Sequence, residues 1–197
     1  MQNNRHTKKL ATRQKILDAA YELFERQGYD ETSYTDIAKL AGLGYGTIYI
    51  HFDSKENLLL EHYLELIYKL ADHLRPLKQD GRNALEHGRF LMDQVWCANI
   101  TAPIRRLTVF FSYRWVSSKK DYDRVLDALN EVLDIIGSYF LKAQTQGLIS
   151  SAVDIPIVLS LIRAAYLHAL QDARFGDEER IAAKLKFDKQ MDYLLHK

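Results

Sequence analysis

Apolar residues recur at helical spacing along this chain, and glycine or proline stands where these patterns stop. No segment combines two-residue alternation with the β-branched enrichment that is typical of strands. The sequence therefore predicts an all-α fold. From Gln14 onward, one face of the first predicted helix carries the apolar residues Ile16, Ala19, Ala20, Leu23 and Phe24.

Capping residues and helix breakers divide the chain into about nine predicted helices. Gly28 is placed to end the first helix in the left-handed conformation. Ser33 and Asp36 form an N-cap pair for a very short second helix, which Gly42 ends. The later helices are predicted at about Tyr45–Phe52, from Asp53 or Ser54 to near Pro76–Gly81, and at Arg82–Asn99, Pro103–Ser117, Lys120–Gln146, Ile155–Phe175 and Asp177–His196.

The composition is that of a folded protein, because 47% of the 197 residues are hydrophobic and can bury a substantial core. The longest apolar stretches, such as Ile155 to Leu161, are much shorter than the roughly 20 residues that cross a bilayer. The polar N-terminus lacks the apolar core of a signal peptide. We therefore expect a cytoplasmic protein with no membrane partner.

The sequence carries no motif of catalysis or metal binding. Its single cysteine, Cys97, excludes an intrachain disulfide; a small buried helix residue is the expected role, and a redox-sensing thiol is the alternative. The chain has no HExxH pair, glycine-rich phosphate loop or nucleophile elbow. We therefore predict that the protein is not an enzyme and uses no cofactor or metal.

Charge is balanced overall and uneven locally. The 27 Lys and Arg oppose 26 Asp and Glu, and the formal net charge of +1 does not support a basic protein that coats nucleic acid. Residues 1–15 suit an arm near phosphates and a solvated terminus equally well. They contain no Asp or Glu and five cations, which are Arg5, Lys8, Lys9, Arg13 and Lys15.

Residues 34–53 have the spacing of a helix-turn-helix. Two helices cross at a steep angle when a small residue lies at their closest approach, a flexible residue makes the turn and apolar residues lock the pair. Ala38, Gly42 and Ile48 occupy these three positions. The third helix is then the recognition helix, because its exposed face can enter a major groove while Ile48 and Phe52 face inward.

The match to a known signature extends well beyond this spacing. It comprises, in order and without a gap, Gly28-Tyr29, Thr32 to Ala38, Ala41 to Phe52 and Ser54 to Leu58. These residues resemble the N-terminal signature of TetR-family transcriptional regulators, over about residues 12–60. The resemblance implies a three-helix DNA-binding domain at residues 1–53 and a helical ligand-binding and dimerisation domain at residues 54–197.

The family resemblance also implies a function. A homodimer would bind double-stranded DNA at a palindromic operator, as a repressor that responds to an unidentified small-molecule effector. Activation and a co-repressor arrangement are the alternatives within this class. An interaction protein without DNA binding is the alternative outside it. This alternative requires a recognition helix that is unsuited to DNA, and Tyr45 and Ile50 are compatible with that.

The resemblance and the docking geometry of such motifs indicate which residues contact DNA. Gly46 lets the backbone approach the bases, and Thr47 offers both a hydroxyl and a methyl group. Tyr49 and His51 resemble family positions that touch phosphates, and Lys55 resembles a family lysine near the DNA backbone. The full predicted set is Thr35, Tyr45, Gly46, Thr47, Tyr49, His51 and Lys55.

Three residues depart from the family pattern. Gly44 stands where a serine usually caps the recognition helix, which costs about a few tenths of a kcal/mol. Tyr45 replaces a commonly polar or basic residue, and Ile50 replaces a commonly polar one.

The C-terminal helices are expected to hold the effector pocket and the dimer interface. Aromatic residues at helical spacing suit a plain core as well as a pocket, and Arg114 and His168 suit internal ion pairs as well as a polar ligand. The predicted pocket residues are Phe90, Trp96, Phe110, Phe111, Arg114, Tyr139, Tyr166 and His168. The predicted interface residues on the last two helices are Ile162, Ala165, Ala169, Ala173, Ile181 and Leu185.

Overall fold

The computed structural model describes residues 2–100, 118–173 and 175–195. These residues form eight α-helices and no strand, which confirms the all-α prediction. The helices are α1 (Gln2–Arg26), α2 (Tyr34–Ala41), α3 (Tyr45–His51), α4 (Lys55–Leu74), α5 (Ala84–Ile100), α6 (Lys119–Thr145), α7 (Ile155–Ala173) and α8 (Asp177–Leu195). Outside the described residues lie the helix predicted at Pro103–Ser117 and the predicted pocket residues Phe110, Phe111 and Arg114.

Helix α1 begins well before the apolar pattern from which it was predicted. Residues 2–13 contain no glycine or proline, so nothing in the sequence stops the helix from extending towards the N-terminus. Lys8, Lys9 and Lys15 are therefore exposed residues of a helix rather than of an irregular arm. At the other end, Gly28 has a φ of 96° and donates its N–H to the Phe24 carbonyl at 3.1 Å, as the sequence predicted.

Local capping defines α2. The Ser33 side chain accepts the Asp36 N–H at 3.1 Å, and the Asp36 carboxylate accepts the Ser33 N–H at 3.0 Å. This reciprocal pair holds the pKa of Asp36 below its usual value, because the Ser33 hydroxyl and N–H both donate to the carboxylate. Gly42 ends the helix in the left-handed region, with a φ of 66°. Residues within four positions thus set both ends of this short helix.

The described residues divide into two compact units, and the first ends at Glu65 within α4. In the first unit α2 packs on both α1 and α3. The unit extends beyond the domain boundary predicted at residue 53, because the first turns of α4 add buried residues to the same core. That core includes Ile16, Leu23, Ile37, Ile48, Phe52, Leu58, Leu60 and Leu64.

Helix α4 starts at one of its two predicted caps. The Ser54 hydroxyl accepts the Asn57 N–H at 3.2 Å, so Ser54 rather than Asp53 caps the helix. The side chains of Leu59 and Tyr63 are only half-buried. Three consecutive leucines at 58–60 allow either register. The buried stripe is Leu60, Leu64, Ile67, Ala71 and Leu74.

In the second unit α5 packs on α6, α6 on α7, and α7 on α8. Glycine permits two close approaches: a Cβ at Gly88 would lie 2.4 Å from the Phe140 ring, and one at Gly137 would lie 2.5 Å from the Leu159 side chain. The core of the unit includes Leu91, Trp96, Ile136, Phe140, Ile162, Ala169 and Phe187. Among the described helices, none has both the length and the apolar character required to span a membrane.

Candidate nucleic-acid interface

Helix α3 is locked in the first unit by one face and exposed on the other. Ile48 is fully buried, and Phe52, which follows the helix, is buried beside it. Gly44 precedes α3 with an extended backbone and makes no side-chain cap, as the predicted departure from the family pattern implied. The exposed face contains Tyr45, Gly46, Tyr49 and Ile50.

The predicted DNA-binding residues fall into two groups. Thr35, Tyr45, Gly46 and Tyr49 are exposed and free to meet a large partner. Thr47, His51 and Lys55 are half-buried. A Cβ built on Gly46 meets no atom within 4 Å, so the backbone of α3 is open to close approach at this residue.

Three tyrosines form a cluster at the edge of α3. The hydroxyls of Tyr45 and Tyr49 are 3.0 Å apart, and their ring centroids are 5.2 Å apart. The Tyr34 ring lies 4.7 Å from the Tyr49 ring, and burial raises the pKa of Tyr34 to about 12. The hydrogen bond with Tyr45 likewise raises the pKa of Tyr49. The raised pKa values keep the Tyr34 and Tyr49 phenols neutral, so this surface offers hydroxyls and ring edges to a partner.

Lys55 has a structural role that the sequence did not reveal. Its ammonium donates to the carbonyls of Tyr29 at 2.7 Å and Thr32 at 2.9 Å, and it lies 4.3 Å from the centroid of the Tyr29 ring. The buried Thr32 hydroxyl in turn donates to the Gly28 carbonyl at 2.6 Å. Two of the three ammonium donors are thus committed to the loop between α1 and α2.

Arg13 is likewise part of the fold rather than of an arm. Its guanidinium lies 3.1 Å from the Glu61 carboxylate and 4.2 Å from the centroid of the Phe52 ring. It therefore joins α1 to the start of α4 and to the end of α3. Lys8, Lys9 and Lys15 are exposed cations on α1.

His51 lies at the end of α3, near this positive charge. Burial lowers the pKa of His51, and the charges of Lys9 and Arg13 lower it further. A positively charged neighbourhood therefore adjoins the C-terminal end of α3. An anion placed against His51 would act in the opposite direction and favour its protonated form.

The α7–α8 surface of the second unit exposes an apolar groove of about 730 Å³. Of the six predicted interface residues, Ala165 and Leu185 line the groove, and Ile181 is exposed nearby. Ile162, Ala169 and Ala173 are instead buried inside the protomer, so their prediction as interface residues was wrong. The exposed apolar residues on these two helices that the sequence did not identify are Ile157, Leu161 and Tyr193.

The predicted pocket residues of the second unit separate into two clusters. Trp96 and Tyr166 pack with Phe187, at centroid distances of 6.1 Å from Trp96 and 5.8 Å from Tyr166. The Tyr166 hydroxyl donates to the Val95 carbonyl at 3.3 Å. This cluster is closed core. His168 belongs to neither cluster, since its side chain is 61% exposed and lies 3.5 Å from Asp172.

The second cluster surrounds a buried histidine that sequence reasoning missed. His87 is fully buried, and its ring centroid lies 4.3 Å from that of Tyr139 and 5.8 Å from that of Phe90. Neither ring nitrogen makes a hydrogen bond of normal geometry with the described residues. Burial lowers the pKa of His87, against an opposing effect of the Leu77 carbonyl. The feature of the sequence that could have identified it is a histidine on an otherwise apolar helix face.

Comparisons with known proteins agree with this architecture. Residues 16–62 match the family described as bacterial regulatory proteins, tetR family. The chain is 52% identical over 50 residues, which are 25% of its length and 23% of the relative's, to the HTH-type transcriptional regulator AcrR of Shigella flexneri. It is 26% identical over 179 residues, 83% of its length and 76% of the relative's, to the probable acrEF/envCD operon repressor of Escherichia coli K12.

A solved structure extends the likeness to both units. FadR of Thermus thermophilus, a TetR-family transcriptional repressor in complex with lauroyl-CoA, has a TM-score of 0.71 over 93% of each chain at 24% identity. This likeness shows a shared fold. The chain spans 23%, 32% and 34% of the length of three of the curated relatives it matches.

One face of α3 is buried in the first unit and the other is exposed, and this arrangement defines a helix-turn-helix protein. Residues 16–62 match the TetR family of bacterial regulatory proteins, which confirms the resemblance found in the sequence.

Proposed function

We propose that this protein is a sequence-specific transcriptional repressor that binds a palindromic operator in duplex DNA as a homodimer, under the control of a small-molecule effector. A repressor acts where the genome is, so this proposal includes a cytoplasmic location. The observation that carries the proposal is the exposed face of α3, held in the first unit by the buried Ile48.

The surroundings of α3 support duplex DNA as the partner. A helix of seven residues presented on one side of a compact unit fits the width of a major groove. Lys8, Lys9 and Lys15 on α1 and Lys39 on α2 are exposed cations of the same unit, and phosphates attract such charges. Curated relatives of this chain carry the names of transcriptional regulators and repressors.

The groove between α7 and α8 supports the homodimer. Leu161 and Leu185 are 48% and 59% exposed, and an apolar surface of this kind is stabilised by burial against a second surface. A two-fold axis through such a groove would pair the same helices of two protomers into a four-helix interface. Two recognition helices related by that axis require an operator with matching two-fold symmetry.

The cluster around His87 supports an effector site in the second unit. Phe90 and Tyr139, both predicted pocket residues, provide apolar and aromatic contacts, and His87 provides a ring whose nitrogens make no hydrogen bond of normal geometry with the described residues. Ligand sites combine such surfaces with a few polar groups. We propose that an effector binds here and alters DNA affinity by favouring one of two conformations.

Selection of binding sites from a random duplex library with the purified chain tests the proposal. We expect an enriched palindrome that footprints as one continuous protected region. Enrichment of a non-palindromic sequence would overturn the proposed dimeric recognition. No enrichment at low salt, with or without cell-extract metabolites as a source of effector, would favour an interaction protein over a DNA-binding regulator.

A further inference from the structure

The recognition helix has an unusual chemical character for direct readout of bases. Its sequence, Tyr45 to His51, contains no Asp, Glu, Lys, Arg, Asn or Gln. Bidentate hydrogen bonds to guanine come from Arg or Lys, and those to adenine come from Asn or Gln. Helix α3 can make neither of these pairs. Specificity from this helix must therefore come from other groups.

Ile50 lies at the centre of the exposed face. At about 100° per residue, Gly46 and Ile50 lie about 160° and 200° around the helix from the buried Ile48. Gly46 contributes no side chain, and the Ile50 side chain one turn later is 76% exposed. Tyr45 and Tyr49 flank this stripe on one side, with their hydroxyls paired to each other. An apolar side chain thus projects from the surface that would approach the bases most closely.

The chemistry of the major groove restricts what such a side chain can cover. Most groups on base edges are hydrogen-bond donors or acceptors, and an isoleucine placed on them would remove water without replacing its hydrogen bonds. The C5-methyl group of thymine is the apolar group that a base pair presents there. The charge distribution agrees with this placement, because exposed cations such as Lys9 and Lys39 lie on α1 and α2 and leave α3 neutral.

We infer that Ile50 recognises the C5-methyl group of a thymine in each half of the operator. This inference rests on the proposed DNA-binding function and adds the chemical class of the recognised group. Ile50 acts as a specificity-determining residue, while the exposed cations of the neighbouring helices contribute affinity that does not depend on sequence.

Deletion of single methyl groups from the DNA tests the inference. In the duplex enriched by site selection, each thymine is replaced in turn by deoxyuridine, which keeps the base pair and removes only the C5-methyl group. We expect one thymine per half-site at which this replacement weakens wild-type binding about fourfold, or about 0.8 kcal/mol. Placing 5-methylcytosine opposite guanine at that position should bind more tightly than unmethylated cytosine does.

Two variants connect the methyl effect to Ile50. In Ile50→Ala the deoxyuridine replacement should have no effect at that position, because the apolar partner of the methyl group is absent. Leu148→Ala, a change to an exposed leucine outside α3, should retain the full fourfold effect. Equal binding of thymine and deoxyuridine at every position, or an undiminished methyl effect in Ile50→Ala, would overturn the inference alone. Failure to enrich any duplex would overturn the proposed function as well.

Discussion

The ammonium of Lys55 lies 2.7 Å from the carbonyl oxygen of Tyr29 and 4.3 Å from the centroid of the same residue's ring. One side chain at the start of α4 therefore holds the loop that precedes α2. The orientation of the helix-turn-helix on the rest of its unit depends on this contact as well as on the apolar core.

Replacement of Lys55 by methionine should destabilise the fold. The variant keeps most of the apolar stem but removes the charge-assisted hydrogen bonds to Tyr29 and Thr32. Because Lys55 is half-buried and partly screened by solvent, we expect a loss of about 1–2 kcal/mol in the free energy of unfolding. Urea denaturation measures this loss. Lys39→Met, at an exposed site on α2, is the matched control, and an equal loss in both variants would argue against the structural role.

Stability should depend on pH through His87. Its pKa is lowered in the folded chain, mainly by burial, with further lowering by Arg82 and Lys142 against the opposing effects of the Leu77 carbonyl and Asp80. The unfolded chain therefore binds more protons between its own histidine pKa of about 6.5 and the lower folded value. As the pH falls through this window, the free energy of unfolding should decrease, by at most about 1.4 kcal/mol per pH unit from this group.

His87→Leu removes this titration. The free energy of unfolding of this variant should therefore decrease less steeply than that of the wild type as the pH falls. His73→Leu, at an exposed histidine, should behave as the wild type does. Parallel slopes for wild type and His87→Leu in denaturant titrations from pH 7.5 to pH 5 would show that His87 is not held neutral by the fold.

Operator binding should be accompanied by the uptake of protons at His51. The pKa of His51 is lowered in the free protein by burial and by Lys9 and Arg13, and a nearby phosphate would raise it. Binding is then accompanied by proton uptake, so affinity should increase as the pH falls from the pKa of His51 in the bound protein to its pKa in the free protein, by at most about tenfold per pH unit for each protomer. His51→Gln should flatten this dependence. A wild-type affinity that weakens on acidification would exclude His51 as a phosphate contact.

Self-association should depend on the groove between α7 and α8. The double change Leu161→Lys and Leu185→Lys places four lysines in the proposed interface of a dimer, where their desolvation is unfavourable. Sedimentation should show a dimer for wild type and a monomer for this variant. Leu148→Lys, at an exposed leucine outside the groove, should remain dimeric. A monomeric wild type would contradict the proposed assembly.

Local signals predicted the fold well because capping and helix breaking act over a few residues. Ser33 with Asp36 and Gly42 set the limits of α2 as predicted, and Asp154 starts α7 by accepting the Ile157 N–H at 3.1 Å. The extension of α1 was missed because polar residues such as Lys8 and Lys9 give no amphipathic pattern, although nothing in that segment opposes a helix.

Structural features that depend on tertiary contacts were predicted less well from the sequence. Helix α7 is apolar around much of its circumference, so periodicity could not separate the face with Ile162 and Ala169, which is buried in the protomer, from the face with Leu161. The role of Lys55 depends on two backbone carbonyls more than twenty residues earlier in the chain. Spacing along the sequence contains no information about such a contact.

DNA recognition by α3 is tested by the affinity of the selected duplex for wild type and Gly46→Asp across a series of salt concentrations. The fold has open space for a side chain at this residue, so the aspartate should leave stability unchanged while its charge opposes the DNA. The matched control is Ala152→Asp, an identical change of charge in an exposed loop of the second unit.

Wild type and Ala152→Asp should bind the duplex with the same affinity. For both, the logarithm of the binding constant should fall with the logarithm of the salt concentration with a slope of about −4 or steeper, the value for about four or five neutralised phosphates. Gly46→Asp should lose at least about a hundredfold in affinity, or about 2.8 kcal/mol. Unchanged binding by a folded Gly46→Asp protein would show that the exposed face of α3 does not read the DNA.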